Sequence, residues 1–249
     1  NEVGALLLEY ICQQRIKKGT MPENPIAVKT IVTTDIVNLI GKEYGVEIIN
    51  VLTGFKFIGE QIGLLEAKGE EKRYIWGFEE SYGYLSGSYV RDKDAVDASM
   101  LICEMAAYYR TQGITLLQAR ENMYKKYGFF YQTLYSFTFE GASGMKKMAD
   151  IMENLRNAHP TEIAGLKVIR FDDYKLSTSK NVVTGEVTEL TLPKSNVLAF
   201  FLEGGSKVIV RPSGTEPKVK AYITSKQDTR EEAEAIEQNI YADFSKNME

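Results

Sequence analysis

The sequence has 249 residues, which is enough for one large domain or for two domains of ordinary size. It is 44% hydrophobic and 26% charged, and this is typical of globular proteins with a substantial core. The net charge of −4 and the lack of a long apolar run argue against nucleic acid and membrane as partners.

The first half of the sequence alternates helical and strand-like patterns. Strands are expected at 27–32, 46–52 and 73–78, with helical apolar spacing before the first strand and between the others. Asp35 follows the first strand and is expected to cap the next helix. This order predicts a three-layer α/β domain with a mixed sheet, in which most neighbouring strands are parallel.

A long helix is expected after residue 94. It is predicted to bury one apolar stripe, formed by Val96, Met100, Cys103 and Ala107. We expect both cysteines, Cys103 and the helical Cys12, to be buried thiols in a reducing, cytoplasmic compartment. Gly128 interrupts the pattern after one further helix, so we predict a boundary between domains at 1–128 and 129–249.

The second half has a different order of elements. A strand is expected at 129–139, a helix follows it, and a closing helix ends the chain. Further strands are expected between the helices, at 166–171, 197–202, 207–210 and 219–224. Strands grouped between two helices are typical of an α+β domain, so we predict a mainly antiparallel sheet for this half.

A glycine-flanked polar segment, 77–83 (GFEESYG), follows the third strand. Its two carboxylates and its hydroxyl suit the hydroxyls of a sugar, and its glycines would let the backbone approach a ligand. Ligands of parallel sheets bind beyond the carboxyl ends of the strands, where the loops at 33–35 and 53–56 are also expected. A polar turn with two solvated glutamates is the alternative interpretation.

The segment 211–218 (RPSGTEPK) joins two predicted strands of the second half. It combines a guanidinium, two hydroxyls and a glycine, and Lys220 shares a strand face with Lys218. Arg binds phosphate in a planar fork, and a glycine backbone can turn its N–H groups toward an anion. We interpret the segment as an anion site, whereas a plain turn would explain only its Pro, Ser and Gly.

Three aspartates, Asp92, Asp94 and Asp97, surround Lys93. They lack the further ligands of a calcium loop, so we interpret them as carboxylates at a helix N-terminus. Lys93 would serve as a general acid or base if its pKa falls, and the alternative is a solvated lysine. With one histidine in the chain, a zinc site is not expected.

Together, the segments 77–83, 89–94 (YVRDKD) and 211–218 resemble the α-D-phosphohexomutase superfamily, most closely its bacterial phosphoglucomutases in the phosphoglucomutase/phosphomannomutase family. The similarity runs over nearly the whole chain in the expected order. In that family, four domains surround one cleft. The first carries a phosphoserine, the second holds magnesium, the third contacts the sugar and the fourth binds the phosphate of the substrate.

The resemblance implies roles for individual residues. Lys93 matches the general acid–base lysine. The expected sugar-binding residues are Thr53, Gly54, Lys56, Glu79 and Ser81. The expected phosphate-binding residues are Arg211, Ser213, Gly214, Thr215 and Lys220. No metal ligand is expected in this chain, because its sequence contains neither a phosphoserine loop nor an Asp-rich metal loop.

These departures imply that the chain corresponds to the third and fourth domains, the C-terminal half of such an enzyme. The full-length protein is then expected to interconvert glucose 1-phosphate and glucose 6-phosphate through a phosphoserine, with magnesium as cofactor and glucose 1,6-bisphosphate as intermediate or activator. The expected partners are a phosphosugar and the missing N-terminal domains, and this half alone is expected to be inactive. A phosphopentomutase or phosphomannomutase half and a noncatalytic phosphosugar-binding module remain alternatives.

Overall fold

The computed structural model describes residues 1–141, 143–214 and 216–248. The chain divides into two compact units, Asn1–Gly128 and Phe129–Glu249, and each builds its own sheet. None of the described helices combines the length and the apolar character that crossing a membrane requires.

The first unit is built around a mixed sheet. Its elements are α1 (Glu2–Lys17), β1 (Ile26–Thr30), α2 (Ile36–Tyr44), β2 (Glu47–Val51), α3 (Phe55–Glu66), a 3₁₀ turn (Glu71–Arg73), β3 (Tyr74–Glu79), β4 (Gly83–Leu85), α4 (Ala95–Thr111) and α5 (Leu116–Tyr127). The strand order is β2-β1-β3-β4, in which β1 pairs in parallel with β2 and β3, and β4 forms an antiparallel hairpin with β3. The fold class predicted for this half is confirmed.

Helices cover both faces of this sheet. Helix α1 is buried over Gly4–Cys12, and the Trp76 indole donates a hydrogen bond to the Gly4 carbonyl at 3.1 Å. The contact is close enough that a Cβ atom at Gly4 would lie 2.2 Å from the Phe78 ring. Helix α3 packs on the other face through a cluster that includes Ile58. Because both faces are covered, polar side chains collect at the loops where the strands end.

Helix α4 is oriented differently from the prediction. Its buried residues are Ala98, Met105 and Tyr109. The predicted buried stripe faces outward instead: Val96 is 81% exposed, Met100 is 62% exposed, and Cys103 and Ala107 are also exposed. The prediction was wrong because α4 carries apolar side chains on more than one side, and spacing alone did not identify the side that packs on α1.

The two cysteines therefore differ. Cys12 is fully buried in α1, and burial raises the pKa of its thiol to about 12. Cys103 is a free and exposed thiol on α4, so the expectation of burial was wrong for this residue.

Asp35 begins α2 but does not cap it with its side chain. Its carboxylate instead lies 2.9 Å from the ammonium of Lys29, a residue that is 1% exposed. The predicted cap was wrong because a buried ammonium needs an ionic partner more than a helix N-terminus needs a cap, since an unpaired buried charge is far more costly. The Lys29 ammonium also donates to the Thr33 carbonyl at 3.2 Å, which ties the loop after β1 to its strand.

The second unit is an antiparallel sheet packed against two helices. Its elements are β5 (Phe129–Thr138), α6 (Gly144–Asn157), β6 (Glu162–Ile163), β7 (Leu166–Asp173), β8 (Thr178–Asn181), β9 (Val187–Glu189), β10 (Leu198–Leu202), a 3₁₀ turn (Glu203–Gly205), β11 (Lys207–Pro212), β12 (Lys218–Gln227), α7 (Arg230–Phe244) and a final 3₁₀ turn (Ser245–Met248). The strand order is β5-β12-β11-β10-β7-β8-β9, and β6 pairs with β7. Met152 of α6 and Phe244 of α7 join Phe200 of β10 in one core cluster. The predicted α+β class with a mainly antiparallel sheet is confirmed.

The sequence patterns missed strands β6, β8 and β9. Strand β8 (Thr178–Asn181) is polar, and β9 (Val187–Glu189) is exposed, so neither has the alternating apolar pattern of a half-buried strand. Their hairpin is marked instead by Asn181, whose side-chain oxygen accepts hydrogen bonds from the backbone N–H groups of Val183 and Thr184, both at 3.0 Å. An Asn turn of this kind is a local signal that hydrophobic patterns do not contain.

Candidate functional site

The hairpin between β3 and β4 presents the first group of predicted site residues. Glu79 is the last residue of β3 and pairs with Gly83, the first residue of β4. Ser81 lies exposed at the turn, and Tyr82 beside it has a positive φ of 63° with 87% of its surface exposed. A Cβ atom at Gly83 would lie 2.7 Å from Glu79 Oε1. Gly83 therefore makes room for the Glu79 carboxylate.

The packing of neighbouring side chains explains why glycine occupies position 77, at the other end of the motif. It lies buried inside β3, where a Cβ atom would be 2.2 Å from the hydroxyl oxygen of Tyr74 and 2.8 Å from a methyl group of Ile58. That hydroxyl donates to the Leu85 carbonyl at 3.0 Å. The expectation that this glycine lets the backbone approach a ligand was wrong, because it provides space for a buried tyrosine.

Glu79 and Lys93 influence each other electrostatically. Burial raises the pKa of Glu79, the neighbouring Glu80 raises it further, and Lys93 acts in the opposite direction. The Lys93 ammonium lies 2.9 Å from Asp92 Oδ1 and 5.8 Å from the centre of the Phe55 ring. Phe55 also flanks Gly83, at 3.0 Å from the position of its missing Cβ. The structure therefore brings Glu79, Lys93 and the start of α3 together.

The pKa of Lys93 rises instead of falling. Its hydrogen bond to Asp92 is the main cause, and Glu79 contributes. The lowered pKa that was expected of Lys93 as a general acid or base is therefore not found in this structure, and a raised pKa is least compatible with the role of a base. At neutral pH the side chain is an ammonium, which can donate hydrogen bonds and protons and stabilise negative charge.

Glu80 points toward a different strand from Glu79. Its carboxylate accepts a hydrogen bond from the Thr30 hydroxyl at 3.0 Å, and that hydroxyl lies 2.8 Å from the hydroxyl of Thr33. Glu80 thus links the hairpin to the loop after β1. Sequence reasoning missed Thr30, which reads as an ordinary strand residue until its partner across the sheet edge is known.

The loop before α3 carries the remaining predicted sugar-binding residues. Gly54 occupies the N-cap position with φ 118°, a conformation that favours glycine, and Thr53 beside it is half-buried. The Lys56 side chain is exposed, with its ammonium 4.8 Å from the centre of the Phe57 ring. Strand β1 separates β2 from β3, so this loop and the Glu79 hairpin end strands about 10 Å apart at the same edge.

The aspartates near Lys93 have structural partners. Asp94 caps α4, because its side chain accepts from the backbone N–H groups of Val96 and Asp97. Asp97 in turn accepts from the Ser86 hydroxyl at 2.8 Å. The helix N-terminal interpretation is confirmed for Asp94. Within residues 1–141, 143–214 and 216–248, no group of three or more His, Cys, Asp or Glu side chains is arranged to hold a metal ion.

The turn between β11 and β12 carries the predicted phosphate-binding residues. Arg211 and Lys220 are directly opposite each other in the register of the two strands. Among the described residues, no carboxylate forms an ion pair with either cation, whereas Lys218 pairs with Glu216 at 3.1 Å. Like charges opposite each other across a strand pair are destabilising, so an anion bound between them would relieve the repulsion.

The chain between the two strands forms a tight turn. The Ser213 N–H donates to the Lys218 carbonyl at 2.7 Å, and the Ser213 hydroxyl oxygen accepts from the Glu216 N–H at 3.3 Å. Gly214 is exposed, with open space where a side chain would lie. Thr215 lies outside the described residues. The turn thus places Ser213 and Gly214 next to the Arg211–Lys220 pair.

Comparison with protein families gives one match for each unit. Residues 1–127 match the model described as phosphoglucomutase/phosphomannomutase, alpha/beta/alpha domain III. Residues 145–242 match the model described as phosphoglucomutase/phosphomannomutase, C-terminal domain.

Curated relatives include phosphoglucomutases of staphylococci. The protein from Staphylococcus epidermidis is 38% identical over 224 residues, covering 90% of this chain and 40% of the relative. The protein from Staphylococcus saprophyticus is 35% identical over 248 residues, covering 100% of this chain and 44% of the relative. The chain thus spans less than half the length of these relatives.

Solved structures show the same fold at low sequence identity. The open form of the Paramecium phosphoprotein pp63/parafusin superposes with a TM-score of 0.67 at 18% identity, over 98% of this chain and 41% of the other. A phosphoglucomutase/phosphomannomutase family protein from Burkholderia thailandensis gives a TM-score of 0.55 at 12% identity, with 98% and 41% coverage.

Proposed function

We propose, on the premise that this chain belongs to the phosphoglucomutase/phosphomannomutase family, that it forms the phosphosugar-binding half of a mutase. The membership, which the motifs predicted, is confirmed by the two family-model matches and by the staphylococcal relatives. In this proposal 1–128 is the sugar-binding domain and 129–249 the phosphate-binding domain.

The observation that carries the proposal is the Arg211–Lys220 pair. Two cations face each other across β11 and β12, and no carboxylate in the described part of the chain pairs with them. A phosphate group supplies the negative charge and the hydrogen-bond acceptors that this arrangement needs. We assign Ser213, Gly214 and Thr215 to the same phosphate-binding turn.

The β3–β4 hairpin supplies the complementary function. The Glu79 carboxylate would accept hydrogen bonds from sugar hydroxyls, with Ser81 and the loop of Thr53, Gly54 and Lys56 as further contacts. Protonated Lys93 would act as the general acid, donating a proton or stabilising the charge that develops on an oxygen during phosphoryl transfer.

The whole protein would interconvert glucose 1-phosphate and glucose 6-phosphate through a phosphoserine and a glucose 1,6-bisphosphate intermediate. The phosphoserine loop is absent from this sequence, and the relatives are more than twice as long. Magnesium does not fit the residues described here, because no acidic cluster is available. Its ligands and the phosphoserine would belong to N-terminal domains, and the protein would act in the cytoplasm, where free thiols persist.

Calorimetric titration of the 249-residue chain tests the binding. We expect glucose 1-phosphate to bind more tightly than inorganic phosphate, and glucose to bind too weakly to measure, because the charged group supplies most of the attraction. Equal affinity for inorganic phosphate and glucose 1-phosphate would remove the sugar site from the proposal. Mutase turnover by this chain alone would contradict its role as an incomplete half.

Substrate preference must be measured with the longer protein. Initial rates with glucose 1-phosphate, mannose 1-phosphate and ribose 1-phosphate at matched concentrations should be highest for glucose 1-phosphate. A higher kcat/KM for the pentose or for mannose would replace the proposed substrate while leaving the phosphate-binding role intact.

A further inference from the structure

Helix α4 carries an exposed row of apolar residues, which we call the α4 seam: Val96, Met100, Cys103 and Ala107. The first two are 81% and 62% exposed, and the other two are also exposed. Their spacing of four, three and four residues is that of the a and d positions of a heptad, which bring one helix face into contact with another helix. The row is therefore continuous along three turns of α4.

The opposite side of α4 is already occupied. Ala98, Met105 and Tyr109 are buried, and Tyr10 of α1 donates a hydrogen bond from its hydroxyl to Glu104 at 2.8 Å. A helix that packs through only one face normally turns polar residues outward. Since α4 has apolar residues on two sides, it has the composition of a helix covered on both.

The size of the seam identifies the kind of occupant. A stable complex between separate proteins commonly uses about 20–30 residues on each side, and the seam has far fewer. A segment of the same polypeptide needs less contact area, because its effective concentration is in the millimolar range or higher. The curated relatives extend well beyond this chain, which covers 40% to 44% of their length.

We propose that the α4 seam docks an apolar helix from the additional part of the longer protein. This inference rests on the proposed function only for the existence of that additional part. Cys103 and Ala107 are small, so the docked helix approaches closely at that end, while Val96 and Met100 fill spaces between its side chains. The heptad spacing predicts a crossing angle of about 20° between the helices.

The two cysteines provide a direct test. Cys103 lies in the middle of the seam, whereas Cys12 is fully buried and has a pKa raised to about 12, so it serves as an unreactive internal control. Maleimide labelling of the native proteins, read by mass spectrometry, should modify Cys103 quickly in the 249-residue chain. In the longer protein we expect labelling at least about 10-fold slower. Equal labelling rates in the two proteins would overturn the proposal.

Two variants test whether contacts at the α4 seam cause the slow labelling of Cys103. Met100→Lys introduces a charge into the row, and Ser99→Lys introduces the same charge at an exposed neighbouring position outside it. In the longer protein, M100K should restore fast labelling of Cys103 and S99K should not. Each variant places an ammonium one helical turn from Cys103, so in the 249-residue chain we expect both to change the labelling rate by the same small factor. Restoration by S99K to the same degree would contradict docking through the seam.

Other occupants give different results. Slow labelling of Cys103 in the 249-residue chain that depends on protein concentration, with dimers in sedimentation velocity, would identify a second copy and overturn the proposal. Slow labelling at every concentration would identify cover from within this chain and would also overturn it. Mutase turnover is measured separately: a longer protein that protects Cys103 but lacks turnover supports the docking and contradicts only the proposed function.

Discussion

The β3–β4 hairpin and the β11–β12 turn both place charged residues at the ends of strands. They differ in whether those charges have partners within the chain. At the hairpin Glu80 is held by Thr30, and in the adjoining loop before α4 Lys93 pairs with Asp92. At the turn, Arg211 and Lys220 face each other without a carboxylate partner in the described part of the chain. We expect the turn to supply affinity through unbalanced charge, and the hairpin to supply selectivity through groups already fixed in place.

The largest effect is expected on kcat, from a substitution of Lys93 in the loop beside the hairpin. Lys93→Met in the longer protein should lower kcat by at least about 100-fold, because a positioned general acid commonly contributes that much. Lys68→Met is the control, since Lys68 is an exposed lysine of the same unit. Steady-state rates of both variants with glucose 1-phosphate provide the measurement.

The raised pKa of Lys93 adds a pH criterion. Since the hydrogen bond to Asp92 keeps Lys93 protonated at neutral pH, the pH profile of kcat should contain no Lys93-dependent limb between about pH 6 and 9. A limb in that range that disappears in K93M would show that Lys93 titrates lower than its contacts indicate.

A smaller effect is expected at the turn. Arg211→Ala should weaken binding of glucose 1-phosphate to the 249-residue chain by roughly 10- to 100-fold, the cost of one charge-assisted contact. Lys194→Ala removes one positive charge from an exposed position of the same unit and should change the affinity little. Calorimetry measures the affinity of both variants for glucose 1-phosphate. Equal affinities would show that Arg211 is not part of the phosphate site.

The smallest effects are expected for a substitution of Glu79, which should change both the affinity for sugar phosphate and the thermal stability. Glu79→Gln should weaken sugar phosphate binding by about 3- to 10-fold through the lost charge on a hydrogen-bond acceptor. The same change should raise the Tm of the 249-residue chain at pH 7 by about 1–2 °C, because burial and Glu80 disfavour the carboxylate. Thermal unfolding of the variant and of the Glu60→Gln control, which alters an exposed carboxylate, provides the comparison.

The pH dependence of this difference follows from the raised pKa of Glu79. Protonation of Glu79 stabilises the folded state, so the contribution is fully present below the unfolded pKa of about 4.3 and is lost as pH rises through the folded pKa. The Tm gap between E79Q and the unmodified chain should therefore close as the pH falls toward 4. A gap that widens on acidification would mean that the carboxylate is stabilised in the fold.

Local patterns were sufficient for the fold of both halves because strands β1, β3, β10 and β12 carry strong apolar patterns. They were insufficient where the outcome depends on burial or on the geometry of side-chain contacts. The Lys29–Asp35 ion pair requires knowing that Lys29 is buried, and the outward face of α4 requires knowing where α1 packs. The raised pKa of Lys93 requires knowing that its side chain donates a hydrogen bond to Asp92.

For the candidate site, too, some features could be predicted from the sequence and others could not. Residue types and order were enough to propose the hairpin and the turn as ligand-binding loops, because glycines, carboxylates and cations are clustered in sequence there. The register that opposes Arg211 to Lys220, and the bond from Thr30 to Glu80, are properties of the paired strands. A single sequence contains no direct record of such cross-strand geometry.

The packing around Gly77 has a consequence for how this protein can evolve. Any side chain at position 77 would collide with the Tyr74 hydroxyl, which is held by the Leu85 carbonyl, and with Ile58. Selection on ligand binding can therefore alter the exposed Ser81 and Tyr82 one substitution at a time. A change at Gly77 would first require a smaller residue at position 74, so this glycine should be among the slowest positions of the motif to diverge.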